Sequence, residues 1–505
     1  MDKRGCWLTF LMFFMTGIAI VIYLNQPPFQ ARERDYAYAG SFYSFCIWIG
    51  LGVAAIYTWV VKSLKEGRNT ETAVAVAVTA LTLGVPALMA AENWDDHDRS
   101  NRFTAVEMAK NYLNSVGENG ILITHGDNDT FPLWYAQEVE NIRTDVRIAN
   151  TSLLGTDWHI DQMKWAMNES KPLDLSVDHS QYLYGTNEFI YIYDTRDTVI
   201  PLSDVMRVFR HPDAKIPLTS GKMVDYILSR RFTIPVNKEN VIKYGILDEK
   251  YADMIPEEIT ITIPQDKDYL TKPELFMLDL LSNYKWDRPI SLLSMGGDLN
   301  IGIKDYLMYD GYSYRFVPIK NKTKSTDIGF ADAEDLYYKM KNVYTWDALK
   351  RTDYFVDYQH FYTFCGVLSQ RNLFVNAAKE LLKIGDRERA VELLDMCQVC
   401  VPEENFPLDM TYLGFSNEYM VIDMIETYFD AEEDEKALEL TKRFMDEIFV
   451  STEFFLNYYD VAQKEFESCF NCISYIADLT DYHGYTDYAN GIRDKFNALL
   501  DLEGV

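Results

Sequence analysis

Apolar and polar positions keep three different rhythms along this chain. Trp7 to Leu24, Ser41 to Val61 and Thr72 to Ala91 are uncharged runs of about 18 to 21 residues, the length that ~30 Å of hydrocarbon demands of a helix. The pattern predicts three transmembrane helices within residues 1–92. Lys3 and Arg4 ahead of the first run give it the look of a signal peptide. It is long, however, and no small-residue cleavage site follows it before Pro27, so a retained helix is expected. Over residues 93–345 short β-rich runs alternate with helical ones. "GILITHG", "FPLWYAQEVEN" and "TDVRIANTSL" read as strand, helix, strand, and "EFIYIYD", "EEITITI", "RPISLLS" and "YSYRFVPI" as later strands. An α/β or α+β domain follows from that order. Over 346–505 strand signals nearly vanish. "NLFVNAAKELLKIGDRERAVELLDMCQVCVP" is two amphipathic helices around a Gly-Asp turn, and "SNEYMVIDMIETYFDAEEDEKALELTKRFMDEIF" repeats it with Ala437 in the place of Ala390. The expectation is a tetratricopeptide-like helical-repeat domain, a type that offers a groove to peptides or proteins.

Charge gives the orientation. Lys3 and Arg4 precede the first run, and Lys62, Lys65 and Arg68 separate the second from the third. Basic short loops stay on the cytoplasmic side, so the amino terminus is expected inside, in a multi-pass inner (cytoplasmic) membrane protein. The loop from Asn25 to Gly40 and everything after Ala91 are then periplasmic or extracellular. The net charge of −29 falls on that exported part, which excludes nucleic acid as a natural partner. With 48% apolar residues the exported part can still bury real cores.

The cysteines suggest no disulfide framework. Cys6 belongs to the cytoplasmic end, Cys46 to the second helix, and Cys365 stands alone. "CQVC" and "CFNC" form two C-x-x-C pairs, Cys397 with Cys400 and Cys469 with Cys472, but both sit in apolar-periodic helical sequence without the Gly or Pro turns of a zinc knuckle. They read as small core residues, and no metal site is assigned.

Two places carry candidate chemistry. In "THGDNDTFPLWYAQEVENIRTDV" the residues His125, Asp127, Asn128 and Asp129 follow a strand and precede a helix whose first turn should contain Pro132. Carboxylates and an amide there suit sugar hydroxyls or a cation, with Trp134 or Trp158 as a stacking face. A structural alternative stands beside it: Asp129 or Thr130 caps the helix, Pro132 opens it, and Asp127 and Asn128 shape the turn. The D-x-D string and the Asp157-Trp158-His159 string also evoke metal-dependent glycosyltransferases and phosphatases. Nucleotide-sugar donors are cytoplasmic, though, and the Gly-Asn-His-Asp and Gly-His-x-His partners of a two-metal site are missing. The second place is the membrane boundary. "ARERDY" and "ENWDDHDRSNRF" emerge on the same outer surface with Arg32, Arg34, Arg99 and Arg102 among acids and Tyr36. Guanidinium forks there can hold a lipid phosphate, or equally serve as salt-bridged anchors with Glu33, Asp35, Asp95 and Asp96.

Three strings, "LNQPPFQARERDYAYAGSFYSFCIWIGLG", "ENWDDHDRSNRFTA" and "HGDNDTFPLWYAQEVENIRTDVRIANTSLLGTDWHIDQM", resemble the carboxyl-terminal half of a bacterial membrane family whose animal relative is a transmembrane protein O-mannosyltransferase. The resemblance implies a multi-span glycosyltransferase using a lipid-phosphate-linked sugar donor, with its catalytic acid in a first outer loop. This chain lacks that amino-terminal transmembrane half, so it is expected to be a truncated reading frame or a partial subunit, and no catalytic residue is carried over. The resemblance thus implies a fragment that positions lipid-linked donor or exported protein acceptors, with membrane lipid and the missing half as partners. The alternative is a non-enzymatic membrane-tethered scaffold that binds exported proteins through its helical repeats.

Overall fold

The structure, a computed structural model, describes residues 3–25, 34–64, 68–194, 198–294, 299–321, 329–354, 356, 367–409, 411–412 and 415–503. These form two compact units. The first comprises 1–102 with 353–362 and 411–416, the second 103–352 with 363–410 and 417–505.

The first unit contains three helices long and apolar enough to cross a membrane: α1 (Lys3–Leu24), α2 (Tyr36–Leu64) and α3 (Thr70–Glu92). Their side chains are almost entirely exposed, as suits a lipid solvent. Small residues let α1 and α2 touch. A Cβ on Gly17 would collide with Ser41 Oγ, and that hydroxyl donates to the Phe13 carbonyl at 3.0 Å. Close backbone approach of this kind replaces the hydrophobic drive that is missing within a bilayer.

The second unit opens with α4 (Thr104–Ser115), β1 (Ile121–Thr124), α5 (Asp127–Glu138), β2 (Arg147–Asn150) and α6 (Asp157–Met163). Later come α7 (Lys272–Ser282), β3 (Ile290–Leu292), β4 (Leu307–Tyr309), β5 (Tyr314–Phe316), β6 (Phe330–Ala331) and α8 (Ala333–Asn342). The strands form a six-stranded sheet in the order β6-β4-β5-β3-β1-β2. β2, β1 and β3 run parallel, with Ile121 opposite both Arg147 and Ile290, while β5 is antiparallel to β3 and β4. Alternation splits β1 between two cores. Ile121 and Ile123 enter the large core, and Leu122 joins a smaller one with Leu113 of α4, Leu133 and Ala136 of α5, and Ile148. A three-stranded sheet of Val199–Pro201, Arg231–Pro235 and Glu258–Thr262 packs Phe232, Ile234, Ile259 and Ile261 into the large core. The runs read as strands in the sequence are all represented, in a mixed α/β domain.

The rest of this unit is helical: α9 (Val367–Lys383), α10 (Arg387–Cys400), α11 (Asn417–Asp430), α12 (Asp434–Asn457), α13 (Tyr459–Tyr482) and α14 (Thr486–Glu503). The Gly-Asp turn works as read. Gly385, at φ +82°, closes α9, and Asp386 caps α10 by accepting from Arg389 N at 3.1 Å. Ala390 and Ala437 are both fully buried. Cys397, Cys400, Cys469 and Cys472 are buried on α10 and α13, and burial pushes the Cys397 thiol up to about 12 and that of Cys400 up to about 11. Cys365 lies outside the described residues.

Buried polar groups bind the helical region to the α/β part. The Glu107 carboxylate accepts from Ala348 N at 2.9 and 3.0 Å and from Leu349 N at 3.1 Å. Asn111 receives Thr345 N at 2.9 Å and donates to the Thr345 carbonyl at 2.8 Å and to Tyr312 Oη at 3.2 Å. Tyr312 in turn donates to Gln370 Oε1 of α9 at 2.6 Å. Desolvation outweighs the N–H donors at Glu107 and holds its carboxyl above the usual glutamate value. A raised folded value makes this group's contribution largest below the unfolded glutamate pKa, and it declines as pH rises through the folded one. Glu107→Ala should cost about 2–3 kcal/mol by stranding two N–H groups. Glu107→Gln keeps an acceptor and should cost less while flattening the stability profile above the unfolded glutamate pKa, measured by denaturant unfolding across pH.

Candidate functional site

The parallel part of the sheet has a topological switch point. From β1 the chain continues to β2 on one side, and β3 returns on the other, so connections leave the carboxyl ends of β1 and β3 in divergent directions. In open α/β sheets the crevice at such a point is where ligands bind. His125 and Gly126 occupy it after β1, Thr151 and Ser152 after β2, and Ser294 after β3.

Asp129 organises this edge. Its carboxylate accepts from His125 N and Gly126 N, both at 2.8 Å, and so fixes the passage from strand to helix. Thr130 and Asn150 complete the frame beneath. The Thr130 hydroxyl lies 2.6 Å from that of Thr124, and Asn150 Nδ2 donates to Thr130 Oγ1 at 2.7 Å and to the Gly126 carbonyl at 2.9 Å. Ser152 Oγ donates to the His125 carbonyl at 2.6 Å. His125 Nε2 meets Ser294 Oγ at 2.8 Å, while its Nδ1 is buried without a partner.

The helix begins earlier than the sequence suggests. α5 starts at Asp127 with Gly126 as its N-cap, so Asp127 and Asn128 form its first turn rather than a preceding loop, and Pro132 lies inside the helix rather than opening it. The physical reason is Asp129: with its carboxylate turned back onto the two preceding N–H groups, helical geometry can start three residues sooner than a cap at Asp129 or Thr130 would allow. Pro132 has no N–H to donate, which leaves the Asn128 carbonyl without its usual helical partner.

Asp127 and Asn128 are exposed. Asp127, Phe131 and Trp134 share one face of α5 by their spacing. Phe131 stacks on Trp134 with centroids 5.5 Å apart, and it is 54% exposed. Across the edge α6 presents Trp158, 46% exposed, with its ring 5.3 Å from that of His159; Trp134 lies 6.4 Å from the same imidazole on the other helix. His159 is buried, which holds it below the usual imidazole value and therefore neutral, and its Nε2 accepts from Asn150 N at 3.3 Å. The result is an edge with the half-buried Trp134 and the exposed Trp158 against the buried His159, and with an exposed carboxylate and amide in the first turn of α5. It can stack a ring and hydrogen-bond hydroxyls.

Of the residues singled out from sequence, Asp127, Asn128, Asp129, Trp134 and Trp158 come together here. Asn150 and Ser294 were missed. Ser294 is 169 positions from His125, so no local spacing could announce it. The membrane-boundary arginines belong to the other unit. Arg34 is exposed just before the turn that leads into α2, next to an exposed Tyr36. Arg99 donates to the Asp98 carbonyl at 3.3 Å, and Arg102 N to the Arg99 carbonyl at 3.4 Å. Arg32 and Glu33 lie outside the described residues. Among the described residues no group of three or more His, Cys, Asp or Glu could hold a metal ion.

Asp129→Ala should lower stability by about 1–3 kcal/mol, since two N–H groups lose their acceptor. Asp127→Ala should change it by less than about 0.5 kcal/mol, as expected of an exposed side chain. Denaturant unfolding of the two variants side by side checks the assignment, and equal losses would contradict it.

Residues 105–335 match the family model described as TMEM260-associated domain 2. The matched segment runs from α4 into α8 and includes the whole six-stranded sheet with its switch point. No curated protein and no solved structure matches the chain.

Proposed function

We propose that this chain is the sugar-handling exported portion of a membrane protein O-glycosylation system, tethered by α1 to α3 with its amino terminus cytoplasmic and residues after Ala91 outside. The observation that carries the reading is the switch-point edge, where exposed Asp127 and Asn128 share α5 with Phe131 and Trp134, and α6 presents an exposed Trp158. Hydroxyl-binding groups next to stacking faces are what a sugar ring needs. The resemblance of the surrounding segment to an O-mannosyltransferase-like membrane family supports a glycosylation context. Binding, not bond making, is the role assigned, and no residue here is named catalytic.

Two further parts complete the proposal. Arg32, Arg34, Arg99 and Arg102 hold the phosphate of a lipid-linked sugar or of the surrounding lipids at the membrane boundary, where planar forks suit phosphate oxygens. The helices α9 to α14 act as tetratricopeptide-like hairpins that receive an exported protein acceptor. Short connections such as Ile384 to Asp386, and the matched burial of Ala390 and Ala437, support that likeness.

The full chain in nanodiscs should retain neutral glycans from an array, and Asp127→Ala with Trp158→Ala should lose them at unchanged stability. Retention by the double variant would contradict the proposal. Reporter fusions after Arg68 and after Phe103 should read cytoplasm and exterior respectively.

A further inference from the structure

The first unit holds a cleft that helix packing alone leaves unexplained. Contacts between α1 and α2 pair rising with falling numbers, Phe10 with Trp48, Phe13 with Phe45 and the Phe13 carbonyl with Ser41, so the two helices are antiparallel. They touch around Gly17 and Ser41, where a Cβ on Gly40 would also crowd Thr16. Toward the other end aromatic rings hold them apart. Phe13 lies 5.5 Å from Trp48 and 6.1 Å from Phe45, and Phe10 lies 6.5 Å from Trp48, centroid to centroid. Beyond this wedge the facing side chains are short: Gly5, Cys6 and Thr9 on α1, Gly52 and Ala55 on α2. They leave a cleft of about 890 Å³ with Lys3 at its mouth.

Gly52 is not required by the packing. A Cβ on Gly17 would collide with Ser41, so glycine there serves the helix contact, whereas a Cβ on Gly52 would meet nothing within 4 Å. Glycine at this position keeps space open. The wall is also largely apolar, since the Thr9 hydroxyl donates to the Gly5 carbonyl of its own helix at 3.0 Å.

Position and charge name the occupant. α1 and α2 are long and apolar enough to cross a membrane, so an apolar cleft between them is filled from the bilayer. From Lys3 to Phe10 the cleft covers about 10 Å of helix rise, a third of ~30 Å of hydrocarbon. A spanning helix would need a groove through the full depth, and this one stops at the aromatic wedge. A lipid entering from the membrane surface fits. Lys3 is exposed, and its stem can follow the cleft wall while the ammonium reaches headgroup depth. Antiparallel order brings exposed Lys62, in the last turn of α2, to the same end. Among the described residues the acid at that end is Glu71, on the helix that follows, and it does not line the cleft.

We infer that this cleft is a binding site for an anionic phospholipid, with its phosphate against Lys3 and the upper part of an acyl chain between Gly5, Cys6, Gly52 and Ala55. A zwitterionic head carries its own cation, which Lys3 repels. One lysine beside an anionic lipid is worth about fivefold in affinity. With the amino terminus cytoplasmic, as proposed above, the lipid belongs to the cytoplasmic leaflet, and the site is separate from the arginines of the outer boundary.

The test places the full chain in nanodiscs of phosphatidylcholine that contain, at equal minor fractions, either phosphatidylglycerol or phosphatidylcholine brominated on its acyl chains, which quench nearby indoles. The difference between wild type and Trp48→Phe isolates the Trp48 emission. Brominated phosphatidylglycerol should reach half-maximal quenching at about one fifth of the fraction that brominated phosphatidylcholine needs. Lys3→Gln should remove most of that preference, and Gly52→Leu, whose side chain fills the open space, should weaken quenching by both lipids. Equal quenching by the two lipids in the wild type would overturn the inference. Absent quenching would show the cleft covered by protein, a second copy included, and would overturn it as well. Full preference retained in Lys3→Gln, or unchanged quenching in Gly52→Leu, would overturn the cleft as the seat of the lipid.

Discussion

One carboxylate sets the geometry on which the candidate site depends. By accepting from His125 N and Gly126 N, Asp129 turns the end of β1 directly into α5 and spares the edge a looser turn. Its neighbours are thereby released. Asp127 and Asn128 become exposed first-turn residues, and Phe131 and Trp134 follow on the same helix. Thr124, Thr130 and Asn150 brace the arrangement from below, so the polar groups that face outward rest on buried hydrogen bonds rather than on a mobile loop. Preorganisation of this kind lowers the ordering cost that a small polar ligand would otherwise impose.

The apolar rhythm made much of the fold legible. Long uncharged runs became α1 to α3, alternating runs became β1 to β3 and β5, and the Gly385-Asp386 turn separated two helices where the pattern indicated. Sheet order was not legible, because pairing of β3 with β1 joins residues far apart in sequence and leaves no local signature. The site was half legible. Its residue types gave both a capping and a binding interpretation; in the structure Gly126 is the N-cap, Asp129 turns back onto the N–H groups of His125 and Gly126, and Asp127 is exposed. What sequence could not separate was which carboxylate turned inward, since that is fixed by the chain reversal after β1 and not by residue type.

The helical region is part of the same physical account. Glu107 and Asn111 on α4 tie it to the sheet through buried backbone groups, and Tyr312 continues the link to Gln370. Such links leave α9 to α14 within one unit with the switch-point edge. Arg389 adds a two-pronged bond to Glu334 at 2.7 Å on the surface. The unit therefore holds the switch-point edge and a helical surface on one framework.

Hydrogen–deuterium exchange on the full chain, with and without a saturating methyl hexopyranoside, tests the account most directly. Slower exchange confined to the first turns of α5 and α6, with β1 and α9 to α14 unchanged, is the predicted result. Protection that appears in α9 to α14 and leaves residues 125–131 and 157–160 untouched would contradict it.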